Sequence, residues 1–237
     1  MSLFFPKPIQ VLPSILAANM AHLGRDCRRA VEAGADGLHV DIMDGHFVPN
    51  LSMGPDVLRA VHAEMPDVYF SVHLMITRPD IYAPKFLEAG ANLILIHVEV
   101  QSAECGLAAT LQNIRTGGAR AGLTLNPETP VSALEAWKHS ELLDEILVMT
   151  VHPGFGGQAF IRSGLEKIAA IRKMFPHIDI SVDGGIDEAT GAECAAAGAN
   201  ILLAGSSLYR AANLKEAIFS MREKASQAQT QQRASKP

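Results

Sequence analysis

The stretch EAGADGLHVD, residues 32–41, decides the fold because its pattern recurs twice along the chain. EAGANLILIHVE at residues 88–99 and AAGANILLAGS at residues 196–206 have the same order of features. In each, the end of a helical segment is followed by a glycine and then by a short apolar run. The glycine suits the left-handed conformation that ends many helices, and the continuous apolar run is typical of a strand buried on both faces. The repeat therefore predicts a chain built from helix–strand units of one kind.

Short apolar runs alternate with amphipathic segments along the whole chain, which predicts eight strand–helix units. The predicted strands are residues 11–16, 37–41, 69–74, 93–97, 119–125, 145–151, 179–183 and 200–204. The predicted helices include residues 21–33, 55–64, 79–89 and 165–175 and a closing helix at 214–225. Eight such units without a linker favour an α/β fold, a single-domain (β/α)8 TIM barrel, over an open doubly wound sheet.

The two ends of the chain fall outside this pattern. We predict an N-terminal extension at residues 1–10 and the barrel catalytic domain at residues 11–225. Residues 226–237 are rich in Gln, Ser and Ala without apolar periodicity, so we expect a polar, disordered tail there.

Composition excludes several classes of function. The net charge of −5 and the lack of any Lys/Arg run argue against nucleic acid as a partner. No signal peptide is apparent, and no apolar run approaches the roughly 20 residues that span a bilayer, so we expect no membrane association. Three scattered cysteines, each in a predicted helix, fit a reducing cytoplasm better than a disulfide framework: Cys27, Cys105 and Cys194.

Polar residues gather at the ends of the predicted strands. His39 and Asp41 are two apart on one strand, so their side chains point the same way. His73 ends the third strand and Asp183 the seventh, and the carboxyl ends of barrel strands are where active sites of this fold lie. Imidazole and carboxylate ligands suit Zn²⁺, Fe²⁺, Mn²⁺ or Co²⁺. The four residues predict a divalent metal site, although any single histidine could be a hydrogen-bonded core residue; His97 is assigned such a structural role.

Two aspartates at one barrel mouth suggest proton transfer by two bases, in which one carboxylate removes a proton from carbon and the other delivers one. The enediolate formed next to a carbonyl needs electrostatic support, which a metal ion supplies as a Lewis acid. The alternative for Asp41 and Asp183 is a structural cap on the loop that follows each strand. None of the eight lysines lies at a strand end, which disfavours Schiff-base chemistry.

Three glycine-containing turns follow the last three strands: HPGFGGQ at residues 152–158, Gly184-Gly185, and Gly205-Ser206. Backbone N–H groups in such turns can bind a phosphate, and barrels often do so after strands seven and eight. Together the turns predict a phosphate site. Three methionines at strand ends either fill core gaps or form an apolar collar around the reacting carbons: Met43, Met75 and Met149.

The sequence blocks that carry these residues resemble the ribulose-phosphate 3-epimerase family. The blocks are LPSILAANMAHLG, HVDIMDGHFVPNLSMGP, VHLMI, LNPETP, VMTVHPGFGGQAFI, VDGGI and AGSS, which cover residues 11–221 in the family's order. The resemblance implies an isomerase of the pentose phosphate pathway that interconverts D-ribulose 5-phosphate and D-xylulose 5-phosphate, in a protein that forms homo-oligomers.

By the same resemblance, one divalent metal ion is bound by His39, Asp41, His73 and Asp183, and Asp41 and Asp183 are the catalytic acid/base residues. The sugar phosphate would contact Ser14, His73, Gly154, Phe155, Gly156, Gly157, Asp183, Gly184, Gly185, Gly205 and Ser206. His152 stands where other members often carry Asn, Glu or Asp. We expect neither His152 nor His97 to touch the metal or acid/base residues.

Two alternatives remain open at this point. HLMITRP and LNPETPV also resemble the hexulose-phosphate 3-epimerases, which apply the same chemistry to D-allulose 6-phosphate, although the intact PGFGGQ and VDGGI favour the pentulose enzyme. The second alternative is a catalytically silent barrel that only binds sugar phosphates. The complete pair of carboxylates argues against it.

Overall fold

The structure, a computed structural model, describes residues 7–100, 104 and 106–234. Eight parallel strands form one sheet in the order β1-β8-β7-β6-β5-β4-β3-β2, and an isolated parallel bridge between Ser14 and His39 joins its two edges. The strands are β1 Gln10–Pro13, β2 Leu38–Met43, β3 Phe70–Met75, β4 Leu93–His97, β5 Arg120–Leu125, β6 Glu145–Met149, β7 Asp179–Asp183 and β8 Ile201–Ala204. The predicted (β/α)8 barrel is confirmed.

Helices alternate with the strands as the repeat predicts. They are α1 Leu23–Glu32, α2 Pro55–Glu64, α3 Pro79–Glu88, α4 Gly106–Thr116, α5 Gly164–Met174, α6 Glu188–Ala197, α7 Ser206–Tyr209 and α8 Leu214–Ala234. The connection between β5 and β6 differs in type, because it carries a 3₁₀ helix, Val131–Trp137, instead of an α-helix. In the part of the chain that the structure describes, no helix has the length and apolarity needed to cross a membrane.

Side-chain alternation along the strands divides the core into two layers. One layer lies between the strands and the helices. The other fills the barrel interior, where eight residues form a separate apolar cluster: Leu12, Leu93, Leu95, Leu147, Met149, Val151, Ile201 and Leu203. The register places Asp41 beside His73 and Met149 beside Asp183. Polar residues that share the inward direction therefore collect above this cluster, at the carboxyl ends of the strands.

The end of the chain departs from the sequence prediction. Helix α8 continues to Ala234, so residues 226–234 are helical, and the expectation of a disordered tail is wrong for them. Buried Ala225 anchors the helix, and the segment beyond it is rich in Gln and Ala, which have high helix propensity. The Thr230 hydroxyl also donates to the Ser226 carbonyl at 2.9 Å. Residues 1–6 of the predicted N-terminal extension lie outside the described residues.

The cysteines agree with the sequence prediction where the structure describes them. Cys27 in α1 and Cys194 in α6 are free thiols buried in separate helices. Burial raises the pKa of each thiol to about 12, so neither is reactive. Cys105 lies outside the described residues.

One carboxyl group is buried inside the barrel, away from the mouth. Glu145 begins β6, is 1% exposed, and neither of its carboxylate oxygens has a hydrogen-bond partner. Burial raises the pKa of Glu145 to about 7. The neighbouring Arg120 guanidinium bonds Asp179 at 2.5 Å. An unpaired carboxylate in this position destabilises the fold once it ionises.

We therefore expect Glu145→Gln to stabilise the protein in a pH-dependent way. The pKa of Glu145 is higher in the folded state than in the unfolded state. The contribution of Glu145 to the stability of the folded native chain is therefore greatest at low pH, and it is lost as pH rises through the folded pKa. At pH 8 the free energy of unfolding of the variant should exceed that of the native chain by on the order of 3 kcal/mol, and at pH 5 by much less. Urea denaturation at both pH values measures this, with exposed Glu166→Gln as the control. A difference that does not change with pH would show that Glu145 is not destabilising as a buried charge.

Candidate active site and metal centre

Four side chains converge at the mouth of the barrel. His39 and Asp41 come from β2, His73 from β3 and Asp183 from the end of β7, and one ligand atom of each lies within 4.8 Å of the others. The two histidines and Asp41 are buried, whereas Asp183 is partly exposed to the cavity above. The structure thus brings together all four residues that the sequence analysis predicts to form a metal site.

Asp41 lies at the centre of this cluster. Its Oδ1 is 3.2 Å from His39 Nε2 and 3.2 Å from His73 Nδ1, and its Oδ2 accepts a 2.6 Å hydrogen bond from the Ser14 hydroxyl. Burial acts to raise the pKa of Asp41, but the adjacent His39 and His73 lower it well below the usual range. Ser52 holds the backbone, because its hydroxyl donates to the Asp41 carbonyl at 2.6 Å. Asp41 is therefore an ionised carboxylate in a fixed position.

The cluster fits a divalent cation. His39 Nδ1 is within hydrogen-bond distance of the Ser71 hydroxyl, at 3.2 Å, which orients the ring. Its Nε2 is fully buried, faces Asp41 and has no hydrogen-bond partner. A buried imidazole nitrogen that contacts a carboxylate without forming a hydrogen bond is costly in a protein interior unless something else binds it. Two imidazoles and two carboxylates suit Zn²⁺, Fe²⁺, Mn²⁺ or Co²⁺, so the residues present can hold one such ion.

Asp183 differs electrostatically from Asp41. Burial and the negative charge of Asp41 both raise the pKa of Asp183 above its ordinary value. Thr150 fixes the end of β7, because its hydroxyl is within hydrogen-bond distance of the Asp183 carbonyl at 2.9 Å and the Gly184 carbonyl at 2.6 Å. Two carboxyl groups with opposite pKa shifts in one site are typical of an acid/base pair.

His97 contacts the cluster, so the prediction that it stays away from the metal and acid/base residues is wrong. Its Nε2 is 2.8 Å from His73 Nε2, and its Nδ1 is 3.0 Å from Glu99 Oε2. Glu99 in turn accepts from the Asn126 backbone amide at 2.8 Å and from the Thr129 hydroxyl. A chain Glu99–His97–His73 therefore orients a candidate metal ligand from behind, as carboxylates commonly do for metal-binding histidines. The signal for Glu99 was the two-residue spacing in HVE, the same spacing as in HVD of β2.

A cavity of about 700 Å³ lies above the cluster. Asp41 and Asp183 line it together with Ser14, and the three predicted methionines, Met43, Met75 and Met149, do the same. Its wall also contains Gly154, Phe155, Gly156, Gly157, Gly184, Gly185, Gly205 and Ser206. His73 is fully buried in the cluster, so its predicted contact with a substrate stays a prediction.

The turn after β7 requires glycine at two positions. Gly184 and Gly185 have φ values of 110° and 65°, a conformation that side chains disfavour. A Cβ atom at Gly184 would lie 2.3 Å from Val151 Cγ2, and one at Gly185 would lie 2.8 Å from the Phe160 amide nitrogen. This part of the cavity wall is consequently backbone, which is suited to close approach by an anionic group.

The loop after β6 is held against the loop after β2. The Asn50 side chain donates to the Gly154 carbonyl at 2.7 Å, and the Gln158 side chain donates to the carbonyls of His152 and Phe155 at 2.7 and 2.8 Å. Phe155 itself is 55% exposed at the cavity rim. The glycine-rich loop thus has an internal framework.

Comparison with known proteins gives one family. The model of the ribulose-phosphate 3 epimerase family matches residues 10–209. The ribulose-phosphate 3-epimerase of Bacillus subtilis (strain 168) is 44% identical over 220 residues, which are 90% of this chain and 98% of that protein. The ribulose-phosphate 3-epimerase of Escherichia coli (strain K12) is 41% identical over 220 residues, which are 91% of this chain and 96% of that protein.

Solved structures with the same fold are more distant in sequence. The 3-hexulose-6-phosphate synthase of Salmonella typhimurium has a TM-score of 0.69 at 12% identity and covers 93% of this chain and 100% of its own. The 3-keto-L-gulonate-6-phosphate decarboxylase of Vibrio cholerae has a TM-score of 0.69 at 13% identity, with 93% and 98% covered. These neighbours support the barrel alone. The family model and the relatives at above 40% identity decide membership, and the chain belongs to the ribulose-phosphate 3-epimerase family.

Proposed function

We propose that this protein epimerises a ketopentose phosphate at C3 and interconverts D-ribulose 5-phosphate and D-xylulose 5-phosphate in the pentose phosphate pathway. The observation that carries this proposal is the pair of carboxylates, Asp41 and Asp183, in one His/Asp cluster on the floor of a cavity. Relatives that cover most of the chain are ribulose-phosphate 3-epimerases, which supports the same reaction here.

The two carboxylates have different roles in proton transfer. Asp41 on β2 and Asp183 on β7 approach the cavity from separate strands, with β1 and β8 between them in the barrel. Asp41, whose pKa is lowered, is ionised and can accept the C3 proton of one epimer. Asp183, whose pKa is raised, can donate a proton to the other face of C3. In the reverse direction the two residues exchange roles.

The remaining residues would bind and shield the sugar phosphate. Ser14 orients Asp41 and lines the cavity floor, where a sugar hydroxyl can reach it. Backbone of the glycine turns would hold the phosphate end, at Gly154, Phe155, Gly156, Gly157, Gly184, Gly185, Gly205 and Ser206. The three methionines form an apolar wall that limits access of water to the reacting carbons.

His39, Asp41, His73 and Asp183 would hold the divalent metal, Zn²⁺, Fe²⁺, Mn²⁺ or Co²⁺. A bound divalent cation supplies Lewis-acid stabilisation of the negative charge that develops on the substrate oxygens. The buried thiols Cys27 and Cys194 are compatible with a cytoplasmic location. A homo-oligomer is compatible with exposed apolar residues such as Leu51 and Phe219.

Kinetics on two substrates test the proposed reaction. We expect kcat/KM of the metal-loaded protein to be at least about tenfold higher on D-ribulose 5-phosphate than on D-allulose 6-phosphate, since relatives that cover most of the chain are ribulose-phosphate 3-epimerases. A coupled assay that detects each product measures both values. A higher kcat/KM on the hexulose phosphate would contradict the pentulose assignment.

Replacement of either carboxylate tests the assignment of acid and base. Asp41→Asn and Asp183→Asn should keep the fold, because Asn has nearly the same shape and can still accept a hydrogen bond. We expect each to lower kcat by about a hundredfold or more. Circular dichroism and bound-metal content are measured alongside turnover, and the exposed Asp56→Asn serves as the control. Near-native kcat in both variants would refute the two-carboxylate mechanism.

Glu99 offers a test of the metal centre that does not depend on activity. Glu99→Gln removes the negative charge that orients His97 and, through it, His73. We expect the Kd for Zn²⁺ or Mn²⁺ to rise about tenfold, as is usual when a carboxylate behind a metal-binding histidine is lost. Competition with a chromophoric chelator measures Kd. Glu64→Gln, which alters a surface ion pair with Arg28, is the matched control. If Glu99→Gln and Glu64→Gln bind the ion with the same Kd, the contacts from Glu99 through His97 do not support His73 as a metal ligand.

A further inference from the structure

The charges along the cavity wall do not balance. Three carboxylates line it, those of Asp41, Asp183 and Asp187, but Arg210 is the single cationic side chain among the described residues that line the cavity. Asp41 and Asp183 belong to the cluster that would hold the divalent cation, which would compensate their charges. A substrate phosphate, with a charge between −1.5 and −2 near pH 7, would then meet Asp187 and needs a counter-charge on the same wall.

Arg210 is placed to supply that counter-charge. Its amide donates to the Ser206 carbonyl at 3.2 Å at the end of α7, so the two residues are one helical turn apart. Residues four apart lie on the same side of a helix, and both Ser206 and Arg210 line the cavity. Arg210 thus lies one helical turn from the Gly205-Ser206 turn that follows β8.

The Arg210 guanidinium is also free to bind a ligand. It is exposed and makes no ion pair or side-chain hydrogen bond with any residue in the described part of the chain. Most other described arginines are paired with carboxylates, for example Arg78 with Asp80 and Arg222 with Asp36. A guanidinium without a protein partner, on the wall of an otherwise acidic cavity, is available for an incoming anion.

Resting on the function proposed above, we propose that Arg210 binds the phosphate group of the substrate and sets its affinity. The planar guanidinium donates two parallel hydrogen bonds to phosphate oxygens, a geometry that an ammonium group cannot match. The backbone of Gly184, Gly185 and Gly205 contacts the phosphate from the other parts of the wall. Because the phosphate is remote from C3, the contact is equal in the ground state and the transition state, so Arg210 acts on KM rather than on kcat.

The test compares Arg210→Gln and Arg210→Lys with the native chain. Arg25→Gln is the matched control, because Arg25 is exposed on α1 and does not line the cavity. Two quantities are measured on metal-loaded protein: kcat and KM for D-ribulose 5-phosphate, and the Kd of inorganic phosphate by calorimetry. Both are repeated at low and high ionic strength, because salt screens an exposed charge.

We expect Arg210→Gln to raise KM and the phosphate Kd about tenfold, with kcat nearly unchanged and a smaller difference at high salt. Arg210→Lys should recover only part of the loss. Native values of both KM and Kd in Arg210→Gln, or a fall in kcat alone, would overturn the proposal. The function proposed above fails separately: a native chain that binds phosphate more tightly than Arg210→Gln but does not epimerise the sugar supports Arg210 and contradicts the epimerase activity.

Discussion

The burial of one negative charge, on Asp41, is the constraint on which the rest of the site depends. A carboxylate that is 3% exposed at the mouth of a barrel is stable only when its oxygens are satisfied. Here His39, His73 and Ser14 surround it, and each comes from a different strand or strand end. The parallel register of β1, β2 and β3 is what places these partners within reach.

The negative charge of Asp41 also affects the side chains around it. Burial and the negative charge of Asp41 both raise the pKa of Asp183, whereas His39 and His73 lower the pKa of Asp41, so two chemically identical side chains have pKa values shifted in opposite directions. His39 Nε2 lies 3.2 Å from Asp41 Oδ1 without forming a hydrogen bond, an arrangement that suits a cation bound by both residues. The chain from His73 through His97 to Glu99 fixes the other imidazole.

Much of this could be predicted from the sequence, for reasons that are local. The two-residue spacing of His39 and Asp41 and the strand-end positions of His73 and Asp183 were enough to group them, because parallel strands meet at one edge. The contact between His73 and His97 could not be predicted in the same way. It depends on how far two imidazoles reach across neighbouring strands. The sequence did not identify Glu145 as a buried carboxyl group without a hydrogen bond. Its burial depends on how side chains from several strands pack in the barrel interior. The helical state of residues 226–234 was not predicted because the segment lacks apolar periodicity. Its helix is stabilised by intrinsic propensity and by continuation from a preceding turn that is packed on the core.

The central claim is that two carboxylates transfer two different protons. The most direct measurement is the isotopic composition of product formed in D₂O by the metal-loaded protein, read by NMR or mass spectrometry at low conversion of D-ribulose 5-phosphate. Transfer by two carboxylates predicts deuterium at C3 of every D-xylulose 5-phosphate molecule and little deuterium in the unreacted substrate. Product that retains the original C3 hydrogen would contradict it, because a single base would then have carried the same proton from one face to the other.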